Sequence, residues 1–423
     1  MSNRRSFIRN SFLMAGAITL PQFNLKGQND ELPAIFSDDE NYWKAVRAQF
    51  PLTSERIFLN NGTMGPSPFR VLNTLQDEMF LIESTGRYGG NEEEAIESLS
   101  KFIGSATDEI SLTRNVTEGI NIICWGLNLK KGDEVILTKH EHVGNAGPWL
   151  NRAKIDGIVI KTFDLGFTAE ETIENFKKII SKKTKAISLP HIPCTIGQIL
   201  PIKEICQITK ELGIYSFIDG AHPPGMIVID MKDLGCDFYA SCCHKWMNGP
   251  KGTAFLYISA AKRNEVQAYY GGGGMDTGWD MHAENPQLKG YVDNGHRYYY
   301  GTQNAALFKG ISAAIHFQNQ IGRNHIEARV RKLATYLQDH LINLNPAIQM
   351  LTPTEAQSRG AQVSFKIKNR DLSELQKKCS DKLITTRYVP ENNINCLRIS
   401  THIYNTYQEI DAFLETVDEF VKS

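Results

Sequence analysis

The chain has 423 residues, with 46 Lys plus Arg against 47 Asp plus Glu, a formal net charge of −1. Hydrophobic residues make up 41% and charged residues 22%, the proportions of a globular protein. These values exclude a disordered chain, a collagen-like fibre and a small disulfide scaffold, and without a basic surplus they argue against a dedicated nucleic-acid binder. At about 150 residues per domain the length predicts two or three domains, with enough core to carry a cleft.

The first residues carry Arg4-Arg5, then Phe7-Ile8 and Arg9, and a weakly apolar run from Phe12 to Leu20 closes at Pro21. Paired arginines ahead of a short apolar stretch resemble a twin-arginine export signal. The run is too short for a permanent membrane span. The expectation is a signal and linker over 1–30, recognition by the twin-arginine export machinery, and a periplasmic or otherwise exported protein. The alternative is a frayed cytosolic helix, which would leave the protein in the cytoplasm.

From Ile57 to Ile258, short β-branched runs alternate with amphipathic helical patterns. Strands are expected at Ile57-Asn60, Ile110-Thr113, Glu134-Thr138, Ile158-Phe163, Lys185-Leu189, Tyr215-Asp219, Asp237-Ser241 and Thr253-Ile258. Helices are expected at Glu118 to Leu127, Glu170 to Ile180 and Ile202 to Leu212, the last opened by Pro201 and closed by Gly213. This alternation predicts an α/β fold with a mostly parallel sheet covered on both faces. A glycine-rich, aromatic stretch from Tyr269 to Tyr300 suits a loop around a site or interface. Two long helical patterns follow from Asn304 to Leu344. Then come a strand (Gln362-Ile367), a helix (Leu372-Cys379), strands near Leu383 and Leu397, and a last helix from Gln408, together a smaller α+β domain.

Three segments carry chemistry. In Asp237-Phe-Tyr-Ala-Ser-Cys-Cys-His-Lys-Trp246 a lysine ends an apolar strand. A desolvated lysine forms Schiff bases with carbonyls, although a strand-end lysine also simply snorkels. In Tyr215-Ser-Phe-Ile-Asp-Gly-Ala-His222 an aspartate stands at a strand's carboxyl end, where open α/β sheets bind ligands; alone it also reads as a helix cap. In Ser111-Leu-Thr-Arg-Asn-Val-Thr-Glu-Gly-Ile-Asn121 a strand runs into a helix whose first turn carries Thr117. Such a turn receives a phosphate, and equally accommodates an ordinary Thr cap. Cys236, Cys242, Cys243 and His244 cluster in sequence, but adjacent cysteines diverge on a strand and C-x-x-C spacing is missing, so no metal site is expected. The eight cysteines read as buried small hydrophobes.

Taken together, these motifs resemble the aminotransferase class V family of pyridoxal 5′-phosphate (PLP)-dependent enzymes, over Ile57 to the C terminus. The family includes cysteine desulfurases, isopenicillin-N-epimerase-like enzymes, kynureninases and related lyases. The resemblance implies PLP fold type I, with a mostly parallel seven-stranded sheet and a small C-terminal α+β domain. The division expected is an N-terminal segment over 31–56 packing on the small domain, a large PLP-binding domain over 57–303 and the small domain over 304–423. It implies that Lys245 forms the Schiff base with the cofactor and that Asp219 pairs with the pyridinium nitrogen. His142, after Glu141, matches the ring-stacking histidine, and His222 the residue beside the phenolic oxygen. Thr117 and His244 match phosphate contacts. Gly301-Thr302 matches the segment that reaches the partner subunit's phosphate, which implies a homodimer. Arg398, in Leu-Arg-Ile-Ser-Thr-His-Ile-Tyr-Asn-Thr406, matches the arginine that binds the substrate carboxylate, a task for a bidentate guanidinium. The turn Phe58-Leu-Asn-Asn-Gly-Thr-Met-Gly-Pro66 resembles the epimerase-like branch and places Asn61 and Gly62 beside the substrate.

The sequence departs from the family at Cys194, where Asn, Ser or Thr usually meets the phenolic oxygen, and at Cys242, where Ser or Asn usually stands and Ser241 adjoins. Thr385 to Asn393 lacks the mobile cysteine of desulfurases, and Cys396 falls in the Arg398 strand. Arg387 is a candidate second anion contact or a surface arginine. The expected function is a PLP-dependent enzyme acting at Cα of a small amino-acid or peptidyl substrate, aminotransferase- or epimerase-like. The alternatives are a β-eliminating lyase or desulfurase-like enzyme without the loop cysteine, and a non-catalytic binding protein on the same fold.

Overall fold

The computed structural model describes residues 39–423 apart from Tyr88. Arg4-Arg5, the expected signal and linker, and the start of the 31–56 segment lie outside the described residues. Helix α1 (Glu40–Arg47) opens the described chain, capped by Asp39, whose carboxylate accepts from the Tyr42 N–H at 2.9 Å. Its Tyr42, Trp43 and Val46 pack with Trp246, Phe317, Ile326, Val330 and Tyr404, and Arg47 meets Glu409 at 2.8 Å.

Strand β1 (Ile57–Phe58) is not part of the large sheet as its sequence suggested. It pairs in parallel with Ile384–Thr385, because its backbone has already turned toward the C-terminal region. The large sheet has seven strands: β2 (Ile110–Thr113), β3 (Glu134–Thr138), β4 (Val159–Phe163), β5 (Thr184–Pro190), β6 (Tyr215–Asp219), β7 (Phe238–Cys242) and β8 (Ala254–Ile258). Their order is β2-β8-β7-β6-β5-β3-β4, with β8 alone antiparallel to its neighbours. Successive side chains of a strand point to opposite faces. Along β3, Val135 and Leu137 enter one apolar cluster and Ile136 the other. Both faces are therefore buried, as the near-continuous apolar runs of a parallel sheet require.

Two helices, α4 (Val116–Gly126) and α5 (Val143–Asp156), bring Ile120, Ile123 and Trp149 to one face. The other face is covered by α3 (Glu92–Ile103), α6 (Ala169–Ile179), α7 (Ile202–Glu211) and α9 (Ala305–Ile321); α9 also packs on α2 (Phe69–Thr85), and the short α8 (Met231–Leu234) precedes β7. Helices α2, α3 and α5 were not anticipated. Helix α5 contains Pro148, which ordinarily argues against a helix interior, whereas α3 carries a regular apolar stripe, Ala95, Ile96, Leu99, Phe102 and Ile103.

A two-stranded hairpin, β9 (Trp279–Asp280) with β10 (Gln287–Leu288), lies in the glycine-rich stretch. Helix α10 (Arg323–Leu344) leads to a second, four-stranded antiparallel sheet: β11 (Ile348–Met350), β12 (Gln362–Ile367), β15 (Cys396–Ser400) and β14 (Arg387–Val389), in that order. Helices α11 (Leu372–Asp381) and α12 (Tyr407–Lys422) cover it, and Ile384–Thr385 is β13. The boundary expected at 304 falls at the head of α9, whose Phe308, Ile311 and Ile315 belong to the large-sheet core. The small-sheet core takes over at Leu333, within α10. Among the described residues no helix is long and apolar enough to cross a membrane.

Candidate active site

The carboxyl ends of β2, β3, β5, β6 and β7 open into one cavity of about 250 Å³, closed on the far side by the small sheet. Its wall includes Gly62, Thr63, Asn115, Thr117, His142, Cys194, Asp219, His222, Cys242, His244, Lys245, Arg387 and Arg398. Side chains scattered over more than 330 positions thus meet at the edge where open parallel sheets bind ligands.

Lys245 lies just beyond β7. The front turn crosses directly over it: the Gly65 N–H donates to the His244 carbonyl at 2.9 Å, and a Cβ on Gly65 would lie 2.1 Å from the Lys245 carbonyl oxygen. Only glycine lets the two backbones approach so closely. Lys251, the other lysine of this segment, donates to the Gly65 carbonyl at 2.6 Å and does not line the cavity.

Asp219 ends β6 and is buried. It accepts from the Ala221 N–H at 3.0 Å. Burial pushes its carboxyl up from the ordinary carboxylate range, opposed by the charge of Lys245. A buried carboxylate with one neutral donor calls for a cation.

His222 is fixed in one tautomer. Trp246 Nε1–H donates to its Nδ1 at 3.0 Å, with Gln362 Nε2 at 3.2 Å from the same atom. The ring proton therefore sits on Nε2, which is buried without a protein partner. Burial, then the Lys245 and Arg398 charges, hold the ring neutral, well below its ordinary value. His244 Nδ1 is likewise buried without a partner, and desolvation with Lys245 lowers that ring to about 4.

His142 caps α5, its Nδ1 accepting from the Gly144 N–H at 3.0 Å. Partial burial, Lys245 and Arg387 push it down to about 4, so it presents a neutral ring to the cavity. The cap of α4 is Asn115, which accepts from the Glu118 N–H at 2.9 Å. Thr117 is thus not the cap, and it lines the cavity at a helix N-terminus, a natural anion site.

Arg398 on β15 is 1% exposed. It donates to the Cys194 carbonyl at 2.9 Å, Asn60 Oδ1 at 3.0 Å and Thr63 Oγ1 at 2.9 Å. Desolvation and the neighbouring Arg387 lower it to about 10. Asn60 and Thr63 went unnoticed in the sequence, since only the folded front turn brings them to Arg398. Asn61 does not line the cavity; it is buried behind it, accepting from the Tyr404 hydroxyl at 2.9 Å. Gly62 does line it, and a Cβ there would lie 3.2 Å from Arg398 Cζ.

Cys194 and Cys242 both line the cavity, whereas Ser241 Oγ is buried elsewhere in β7 without a partner. No hydroxyl has replaced the Cys242 thiol. Thr302 is exposed and outside this chain's own cavity. A second hollow, of about 460 Å³, shares Asn115 and Thr117 with the first and is lined by Arg114, Tyr269, Tyr270, Tyr298 and Tyr300.

These residues fit PLP: a carboxylate for the ring nitrogen, a buried unpartnered N–H at His222 for the phenolic oxygen, an unpartnered His244 and a helix N-terminus for the phosphate, and Lys245 for the aldehyde. The sequence pattern of the aminotransferase class-V family matches residues 84–413. The chain belongs to this family. It is an enzyme with the α/β fold of PLP-dependent class V proteins, and PLP is its cofactor. The cysteine desulfurase of Haloferax volcanii is 26% identical over 419 residues, covering 88% of this chain and 96% of that one. Isopenicillin N epimerase of Streptomyces clavuligerus is 27% identical over 398 residues, covering 89% and 98%. Among solved structures, an apo cysteine desulfurase from Thermococcus onnurineus NA1 superposes with a TM-score of 0.79 at 25% identity, covering 89% and 97%. The cystine C-S lyase C-DES shares the fold at a TM-score of 0.80 and 24% identity, covering 88% and 99%.

Proposed function

We propose that this class V enzyme acts at Cα of an amino acid or amino-acyl substrate in an aminotransferase- or epimerase-like reaction. The observation that carries the reading is one cavity holding Lys245, Asp219, His142, His222 and Arg398 beside a small sheet with no thiol between Thr385 and Asn393. Bound PLP supplies an aldehyde for the substrate amine and a ring that draws electron density from Cα. Lys245 Nζ would take the Cα proton and return it to Cα in an epimerisation, whereas transamination would place the proton on the cofactor's aldehyde carbon, across the nitrogen from Cα. Asp219 would keep a proton on the ring nitrogen, and His222 Nε2–H would donate to the phenolic oxygen. His142 would cover the ring and exclude water, while Arg398 would orient the substrate carboxylate.

The lyase or desulfurase-like reading has the names of relatives in its favour. Against it, Cys396 is fully buried within β15, its Sγ 3.9 Å from the Thr195 carbonyl. Cys194 reaches the cavity, but burial raises its thiol above the ordinary value, away from the thiolate that attacks.

The same reading includes export through Arg4-Arg5 and a homodimer with shared sites. Exposed Thr302 and the tyrosine-lined hollow beside Thr117 support the second, since a partner's Gly301-Thr302 segment would fill that hollow. The direct test mixes purified holoenzyme with a panel of amino acids and amino-acyl compounds, follows the cofactor absorbance and identifies products by mass spectrometry. Keto acids or inverted stereocentres support the reading; alanine from cysteine, with sulfide released by an added thiol reductant, would replace it with the desulfurase.

A further inference from the structure

Arg387 and Arg398 are directly opposite each other on the paired strands β14 and β15. Both line the cavity. Like charges in that position repel and destabilise a sheet, and Arg387 adds to the desolvation that lowers Arg398. The two guanidinium groups are anchored separately. Arg398 is held by the Cys194 carbonyl, Asn60 and Thr63. Arg387 is held by Glu391, four residues on, through Oε1. That counter-ion is poorly satisfied, because Glu391 Oε2 is buried with no hydrogen-bond partner. An anion offering two well-placed oxygens to Arg387 would improve on it, since guanidinium binds carboxylates best as a bidentate fork.

We infer that Arg387 forms a second anion subsite and that the substrate is an amino compound with an acidic side group. This rests on the proposed reaction at Cα. Arg398 receives the α-carboxylate, and Arg387 receives the side-group anion as Glu391 yields its place. The phosphate end of the cavity, at Thr117 and His244, lies apart from both arginines in sequence and element and is already accounted for by the cofactor.

The test compares acids with their uncharged isosteres on the holoenzyme. Aspartate against asparagine and glutamate against glutamine are titrated by cofactor absorbance, and succinate against succinamate by calorimetry, which needs no turnover. One charge-assisted pair predicts the acid to bind about tenfold or more tighter than the amide. Arg387→Gln is expected to bring the acid down to the level of the amide. Glu391→Gln, which frees Arg387 from its counter-ion, is expected to widen the preference and keeps the test decisive if the arginine variant folds poorly. Equal binding of acid and amide by wild type overturns the inference, as does an Arg387→Gln variant weakened equally toward both, which would assign Arg387 to the α-carboxylate. Either result leaves the reaction at Cα standing. Absence of any spectral response to amino compounds removes the reaction and the inference together.

Discussion

Glu141 lies between β3 and α5, beside His142. Its Oε1 accepts from the Thr138 N–H at 2.9 Å and the Thr138 hydroxyl at 2.8 Å, and its Oε2 accepts from Asn145 Nδ2 at 2.7 Å. Burial still lifts the carboxyl from 4.5 to about 8, with Asp219 adding to the rise. A folded value above the unfolded one means that the folded chain holds this proton more firmly. The associated stability is complete below about pH 4.5 and is lost as pH climbs toward 8. At about 1.36 kcal/mol per unit, raising pH from 5 to 7.5 removes about 3.4 kcal/mol. Glu141→Gln abolishes this titration and keeps the acceptor for Thr138, but sets an NH2 group against Asn145 at a cost of about 1 kcal/mol. Chemical unfolding of both holoenzymes, at fixed cofactor and protein concentration, is expected to show curves that cross: near-equal or lower stability for the variant around pH 5, and about 2–3 kcal/mol more than wild type around pH 7.5. Parallel pH curves would refute the argument and leave Glu141 ionised in the folded protein.

Four further outcomes are expected. Lys245→Ala loses the yellow colour of the holoenzyme, and borohydride fixes the cofactor to the wild-type peptide containing Lys245; attachment to Lys251 would overturn the assignment. Asp219→Ala retains part of the cofactor binding but loses turnover by at least about a hundredfold, as removal of a preorganised charge does; activity within a few-fold of wild type would exclude Asp219 as the ring partner. Mixing Lys245→Ala with a defective Thr302→Ala variant restores part of the activity if sites are shared, and a fully active monomer by sedimentation would exclude it. Replacing Arg4 and Arg5 with lysine traps the enzyme in the cytoplasm of its native cell; cytoplasmic recovery of the unaltered protein with Met1 to Leu20 attached would reduce the pair to coincidence.

The large sheet was legible because most of its strands are buried on both faces and read as near-continuous apolar runs, Val135, Ile136 and Leu137 in β3 and Ala254–Ile258 in β8 among them. The partner of β1 was not legible. Ile57-Phe58 has a strand's composition, and composition says nothing about which sheet recruits it. Helix α5 was lost to Gly144, Gly147 and Pro148 in its first half. Asp219 and Lys245 were legible because they stand at or just beyond strand ends, where local pattern and site coincide, whereas Arg398, inside β15, was legible only through the family resemblance. Asn60, Thr63, Gln362 and Trp246 were not, because each acts through a distant partner: Thr63 through Arg398, Trp246 through His222. Asn61 was misplaced by one residue. The turn closed by the Thr63 N–H on the Asn60 carbonyl sends the Asn61 side chain to Tyr404 and leaves Asn60 facing the arginine.

The cavity is where this chain breaks the rules that the rest of it keeps. Two arginines face each other across paired strands, Asp219 and Glu141 are acids near enough for one to raise the other, and two histidine nitrogens are buried without partners. Each is unfavourable in the polypeptide alone, and each is relieved by a charge of the right sign. In the proposed site a pyridinium nitrogen would answer Asp219, a phenolic oxygen His222, a phosphate His244, and substrate anions the arginines. The stabilisation by a ligand that binds the folded chain alone grows as RT ln(1 + [L]/Kd), about 4 kcal/mol at a thousandfold excess over Kd. Cofactor binding therefore does more here than equip the enzyme, because it completes an electrostatic arrangement that the amino-acid sequence leaves open. In the proposed arrangement the cofactor does not reach the arginine pair: Arg387 has Glu391 beside it, and the substrate anions would complete the balance.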